Sequence, residues 1–288
     1  MNRTQVLEAI VANRLEHLRA PLRDLLRPAI RVTVSASKRK RALGSSRFGG
    51  LPDLPPRSKW PTVDGIPLMF AGQVALKDVV RFKAAQALPK HGLLSFFFDG
   101  MLTGYDRGET PDRCRVIHTE TTEALMRLPV PASVPTRFEV YPEVAPVFGS
   151  SWTLPEFEEI DGAEFPTIPP IVPLLRSIRD QKRYQKLRRT VRGKHLGSKL
   201  FGYPDGVQGG EIRFGAVMKH DKEERFRYED GEITHVEQLV TEMGDLCLLF
   251  QSAMGVTWGG MGVVYFWIRR QDLEKARFDR VFAELQST

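Results

Sequence analysis

Apolar positions in the first 27 residues recur at steps of three and four: Leu7, Val11, Leu15, Leu18, Leu22 and Leu25. That period predicts a helix with one apolar stripe. Proline is tolerated in a first helical turn but not in an interior, so a second helical piece is expected to start near Pro21. Ile30 to Ala36 then alternates as a strand does. A further apolar strand, Pro67 to Ala71, runs into Gln73. A helix should follow it, with Leu76, Val79, Val80 and Ala84 inward and Leu88-Pro89 as its end. Gly92 to Asp99 reads as a buried aromatic strand and Arg113 to Thr119 as the next.

Residues 129–173 hold ten prolines and are expected to form a connector with little helix. An acidic patch lies within it: Glu156, Glu158, Glu159, Asp161 and Glu164. The stretch from Arg176 to Lys199 is compatible with helix. Its apolar residues fall on two faces, Leu174, Leu175 and Ile178 against Tyr184, Leu187 and Val191, which predicts two short helices or one bent one. The glycine-rich run Gly255 to Gly262 precedes a strand and lacks the Gly-Lys-Ser/Thr of a phosphate loop, so it reads as a hairpin connection. A last helix is expected after Asp272, with Leu273, Ala276, Val281, Phe282 and Leu285 packing inward.

One pattern occurs twice. Ser46-Arg47-Phe48-Gly49-Gly50-Leu51-Pro52-Asp53 loosely matches Ser198-Lys199-Leu200-Phe201-Gly202-Tyr203-Pro204-Asp205. Each is followed by an apolar strand with a glutamine (Gln73, Gln251) and then by a Gly-led aromatic strand (Gly92 to Phe97, Gly262 to Trp267). The spacings differ, 21 residues from Pro52 to Gln73 and 47 from Pro204 to Gln251. These elements imply an α+β fold of mixed or antiparallel sheets from two loosely repeated halves, with helices at both ends. The expected division is an N-terminal helical and basic extension, 1–44, and a domain, 45–288. Within the domain, half-repeats at about 45–128 and 195–288 flank a proline-rich and basic connector, 129–194.

Composition narrows the class. A 42% hydrophobic, 27% charged chain of 288 residues is an ordinary globular protein, neither disordered nor fibrous. No apolar run approaches the roughly 20 residues of a membrane span, and the N-terminus lacks the apolar core of a signal peptide. With only Cys114 and Cys247 and no Cys-x-x-Cys spacing, neither a disulfide framework nor a zinc site is indicated, and a cytoplasmic location is expected. The net charge of +7 is unevenly distributed. Residues 1–47 carry eleven Lys/Arg against three acids and residues 176–199 ten against one, leaving 21 basic and 31 acidic residues elsewhere, a balance of −10.

The paired motifs also carry a family resemblance. Ser46 to Pro52, Trp60-Pro61, Gln73, Gly92 to Phe97, Phe201 to Gln208 and Leu249 through Leu273 resemble, in order, the landmarks of the YwqG-like bacterial family, a domain of unknown function. The resemblance covers roughly residues 45–288 and implies a fold, not an activity. Such proteins often have Gln-x-Asp-Ser-Asp and Trp-Gly-Asp where this chain has Gln251-Ser252-Ala253-Met254 and Trp258-Gly259-Gly260-Met261. Any metal or acid role of those carboxylates is therefore lost here.

Candidate chemistry is sparse. His91, His118, His195, His220 and His235 are scattered without ligand spacing, so no metal and no cofactor are expected; His195, before the second motif, is the one to test. Gln73, Gln208 and Gln251 lie beside apolar sequence, where a buried amide needs several partners. They either bond loops internally or line a polar cleft between the repeats, with Trp60, Trp258, Tyr203 and His195 around it. The basic stretch offers Arg179, Arg183, Arg188, Arg189, Arg192 and Lys194 to phosphates or an acidic partner, with Tyr184 as a stacking group. The acidic patch nearby could instead pair with it internally.

No nucleophile, base and orienter assemble in this sequence. The leading expectation is a non-catalytic protein that binds a macromolecular partner, in a regulatory or toxin-neutralising role. Two alternatives stay open: a nucleic-acid-associated protein using residues 176–199, and a small-molecule binder or enzyme with a cleft between the repeats.

Overall fold

The computed structural model describes residues 1–35, 41–99, 113–135, 138–157, 177–193, 196–207, 212–221, 223, 225–229, 232–253 and 262–286. In chain order, helices α1 (Arg3–Ala12) and α2 (Arg19–Leu25) lead into strand β1 (Arg27–Ser35). Short strands β2 (Arg47–Phe48), β3 (Asp53–Leu54), β4 (Thr62–Val63) and β5 (Ile66–Pro67) precede β6 (Met69–Ala75), the one-turn helix α3 (Leu76–Val79) and β7 (Leu93–Phe98). Then come β8 (Cys114–Thr119), β9 (Met126–Arg127), β10 (Ala145–Thr153), helix α4 (Ile178–Arg192) and β11 (Ser198–Leu200). The chain continues through α5 (Ile212–Lys219), β12 (Tyr228–Glu229), β13 (Glu232–Ile233), α6 (Val236–Asp245), β14 (Leu246–Ser252), β15 (Val263–Arg269), α7 (Arg270–Glu274) and β16 (Phe282–Gln286).

The fold is α+β. A six-stranded antiparallel sheet has the order β10-β1-β11-β14-β15-β16, and a four-stranded one the order β2-β6-β7-β8. The main core lies between them, where alternate residues of each strand point inward. Val32, Phe250 and Phe266 from one sheet meet Phe48, Phe96 and Val116 from the other. Phe250 stacks on Phe48 at 5.3 Å between ring centroids and tilts against Phe96 at 5.0 Å.

The six-stranded sheet carries helices on its other face. One helical core gathers Val6, Ile10, Leu18, Leu22, Tyr184 and Leu187 with Tyr203. A second packs α5 and α6 on Tyr265 and Trp267. Beyond the four-stranded sheet, Trp60 packs edge-on against Phe97 and Phe138. Among the described residues no helix is long and apolar enough to cross a membrane.

Several expectations change. The buried face of α1 is Val6, Ala9 and Ile10, while Val11 is 44% exposed. Arg14 is left-handed (φ 57°) and the helix ends there, so the stripe divides: Leu15, Leu18, Leu22 and Leu25 are buried as expected, while α1 turns a different face inward. Residues 27–35, read as part of an N-terminal extension, form an interior strand between β10 and β11. The proline-rich connector contains a nine-residue strand, β10, with Pro146 inside it. An edge strand tolerates proline because its outward amides need no ladder partner.

The basic stretch forms one helix, not two: Ile178 is 71% exposed and supplies no second apolar face, while Leu174 and Leu175 lie outside the described residues. The last helix is reduced to one turn, with Asp272 inside it and no side-chain cap. Ala276 is left-handed (φ 53°) and ends it, and Phe282, Glu284 and Gln286 alternate inward as an edge strand.

Candidate functional site

Helix α4 carries six of the seven basic-stretch candidates, Arg179, Arg183, Tyr184, Arg188, Arg189 and Arg192. Ser177 caps it, its hydroxyl accepting from the Asp180 amide at 3.1 Å. Asp180 in the first turn and Arg189 and Arg192 in the last complement the helix dipole. Gly193 ends it at φ 95°. The inner face is Tyr184, Leu187, Arg188 and Val191, at steps of three, one and three.

The outer face carries Arg179, Lys182, Lys186 and Arg189, all exposed, which form no ion pair among the described residues. Arg183 differs, being held by Asp180 at 3.1 Å, which His17 also approaches at 3.4 Å. Tyr184 is fully buried and its hydroxyl donates to the Pro155 carbonyl at 2.9 Å, so the expected stacking group faces the core. Arg188 is also buried, and is not a surface phosphate contact. Lys194 lies outside the described residues.

Arg188 belongs to an ion cluster beneath the helix. Its guanidinium donates to Glu156 and to Asp205 at 3.2 Å, and the Lys199 ammonium meets the other Asp205 oxygen at 2.5 Å. Glu156 of the acidic patch thus pairs with the basic stretch, while Glu158, Glu159, Asp161 and Glu164 lie outside the described residues. Burial alone would raise the Asp205 pKa, but Lys199 and Arg188 outweigh it and hold the carboxyl below its ordinary value.

The first half contains a comparable cluster. Arg47 and Asp53 are fully buried and paired, and Arg127 reaches Asp53 at 3.1 Å and Glu143 at 3.4 Å.

Each cluster is held by one of the expected glutamines. The Asp53 amide donates to Gln73 Oε1 at 2.9 Å, and Gln73 Nε2 donates to the Ser45 carbonyl and to Asp53 Oδ2. In the second half the Asp205 amide donates to Gln251 Oε1 at 2.9 Å, and Gln251 Nε2 donates to the Gly197 carbonyl at 2.8 Å and to Asp205 at 3.4 Å. The register is also the same, with Arg47 opposite Gln73 and Lys199 opposite Gln251. Ser46 and Ser198 each accept the amide two residues past the glutamine, Ala75 and Ala253. Glycine is needed at both turns: a Cβ on Gly49 would meet the Pro142 carbonyl at 2.3 Å, and one on Gly202 the Thr153 hydroxyl at 2.6 Å.

These bonds commit Gln73 and Gln251 to the interior of separate clusters and do not bring them into one cleft. Trp60 is buried, its Nε1 donating to the Leu68 carbonyl at 2.7 Å. Tyr203 packs in the helical core with the Arg27 guanidinium 4.4 Å from its ring centroid. Gln208, Trp258 and His195 lie outside the described residues. Sequence reasoning missed both buried ion pairs, although their signal was present in the basic residue after each motif serine and in each Pro-Asp.

Cys114 and Cys247 are free thiols. Among the described residues no group of three or more His, Cys, Asp or Glu side chains could hold a metal.

No curated protein matches the chain. A family model, a domain of unknown function (DUF1963), matches residues 46–287. This span takes in both ion clusters, α4 and every strand of the two main sheets except β1, and the chain therefore belongs to the DUF1963 family.

Proposed function

We propose that this chain is a non-catalytic binding protein that holds a protein partner with a carboxylate-rich surface against the outer face of α4. The observation that carries the reading is the exposed row Arg179, Lys182, Lys186 and Arg189, none of them in an ion pair among the described residues, beside Arg183 and Arg188, which are paired. Steps of three and four put these cations on neighbouring turns, about 5–6 Å apart. Such a row steers an acidic surface and fixes its register.

A protein fits better than single-stranded nucleic acid, which needs aromatic platforms for its bases. Tyr184 faces inward, and α4 presents no other aromatic side chain. A cleft between the halves has less support, because Gln73 and Gln251 are already fully engaged. A regulatory or toxin-neutralising role follows if covering the partner alters its activity. Two free cysteines suit a reducing cytoplasm.

The test is affinity purification from the native host at low and high salt, with three forms of the full chain. One is wild type, one carries Lys182→Gln, Lys186→Gln and Arg189→Gln, and one loses the same charge elsewhere through Arg19→Gln, Lys59→Gln and Lys275→Gln. A stoichiometric protein retained by wild type and control, weakened by salt and lost from the α4 variant, supports the reading. Recovery of nucleic acid in its place would move the assignment to that class, and equal recovery by all three forms would refute it.

A further inference from the structure

Beneath the C-terminal half of α4, against β1, β10 and β11, lies a cavity of about 200 Å³. Arg31, Arg188, Arg192 and Lys199 line it, and among the described residues Asp205 is the one carboxylate in the wall. Ala29, Val191 and Leu196 supply its apolar side. In the first-half cluster the Arg47–Asp53 pair is wholly inaccessible; the second-half pairs border this cavity.

We propose that this cavity binds a small organic oxyanion, a phosphate or carboxylate group on an apolar body. Arg31 stands directly opposite Lys199 in the β1–β11 register, so two cations share one face of the sheet. Like charges directly opposite each other disfavour the pairing. Asp205 answers Lys199, and Glu156 and Asp205 together answer Arg188, but neither Arg31 nor Arg192 forms an ion pair among the described residues. Among the described residues the Nε atoms of Arg188 and Arg192 are buried without a hydrogen-bond partner, and Arg188 as a whole is more than nine-tenths buried.

Buried guanidinium donors are costly unless satisfied. Arg31 is exposed and Arg192 half-buried, and an oxyanion between them and Lys199 would take charge-assisted bonds, the strongest of their kind, including one from the buried Arg192 Nε. The apolar side gives the rest of the ligand a surface to cover, so an aromatic phosphate should bind more tightly than inorganic phosphate. A metal cation is disfavoured by Arg31 and Arg192, the two cations of the wall without a carboxylate partner among the described residues.

The experiment is calorimetric titration of the full chain at low salt with inorganic phosphate, phenyl phosphate and benzoate, each up to about 10 mM. Phenyl phosphate should bind more tightly than inorganic phosphate. Arg31→Gln and Arg192→Gln, which break no ion pair, should each weaken it about 10-fold or more, as loss of a charge-assisted hydrogen bond does. The variant neutralised at Lys182, Lys186 and Arg189 should bind as wild type does, which separates this site from the outer face of α4. The proposal is overturned if none of the three probes binds, if Arg31→Gln and Arg192→Gln leave the affinity unchanged, or if the outer-face variant weakens binding as much as they do.

Discussion

Gln251 holds Asp205 at two points, accepting its backbone amide at 2.9 Å and donating to its carboxylate at 3.4 Å. Gln73 holds Asp53 in the same way. An alanine at either position leaves a buried amide and part of a carboxylate unsatisfied, which costs about 1–3 kcal/mol. Gln251→Ala and Gln73→Ala should each lower the urea midpoint without changing the slope. An unchanged midpoint would mean that water replaces the amide at no cost.

Removing Asp205 leaves Lys199 and Arg188 buried with one fewer counter-charge. Breaking a buried pair from one side typically costs about 3–5 kcal/mol, whereas replacing both partners with apolar groups is far milder. Asp205→Leu should therefore destabilise more than Asp205→Leu combined with Lys199→Met, by denaturant titration. A double variant as unstable as the single one would show that the ion pair itself, and not the orphaned charge, is what matters.

The pH dependence follows from the same carboxylates. Asp205 is depressed by Lys199 and Arg188 against the effect of burial, Glu242 by Arg225 and Arg269, and Asp221 by the Phe226 amide and Arg225. Groups whose folded pKa lies below the unfolded one contribute stability that is present above the unfolded value, about 4, and lost as pH falls through the folded value. Melting temperature should hold near neutrality and fall steeply below about pH 4. Asp205→Leu combined with Lys199→Met should flatten part of that fall.

The N-terminal segment is expected to be indispensable to the domain. β1 pairs with β10 over nine residues and with β11 over three, and α1 and α2 cover one face of the same sheet. The fragment 45–288, close to the span of the family match, should lack a cooperative thermal transition and regain it when residues 1–44 are supplied as a peptide. Cooperative unfolding of the fragment alone would show that the sheet closes without β1.

Much of this architecture was legible where pattern and packing coincide. Gly92 to Asp99 and Gly262 to Ile268 contain aromatic runs that form buried strands flanked by a neighbour on each side. The basic stretch read correctly as helical because Tyr184, Leu187 and Val191 share a face. The edges were less legible. β10 contains proline and half-exposed residues, and β16 has polar Glu284 and Gln286 turned inward, so neither shows apolar alternation. The candidate site divided similarly. Exposed cations on α4 follow from helical spacing, but the cavity depends on β1 lying beside β11, a contact between residues about 170 apart in the chain.

The most direct test of the partner-binding reading is fluorescence anisotropy of a labelled poly-glutamate peptide titrated with the wild-type chain, the Lys182/Lys186/Arg189 neutralised variant and the Arg19/Lys59/Lys275 control. Salt screens exposed charges beyond about 10 Å at 0.1 M, so binding should weaken as salt rises. The account predicts that the α4 variant loses most of the low-salt affinity while the control keeps it. Equal affinity for the two triple variants would contradict it.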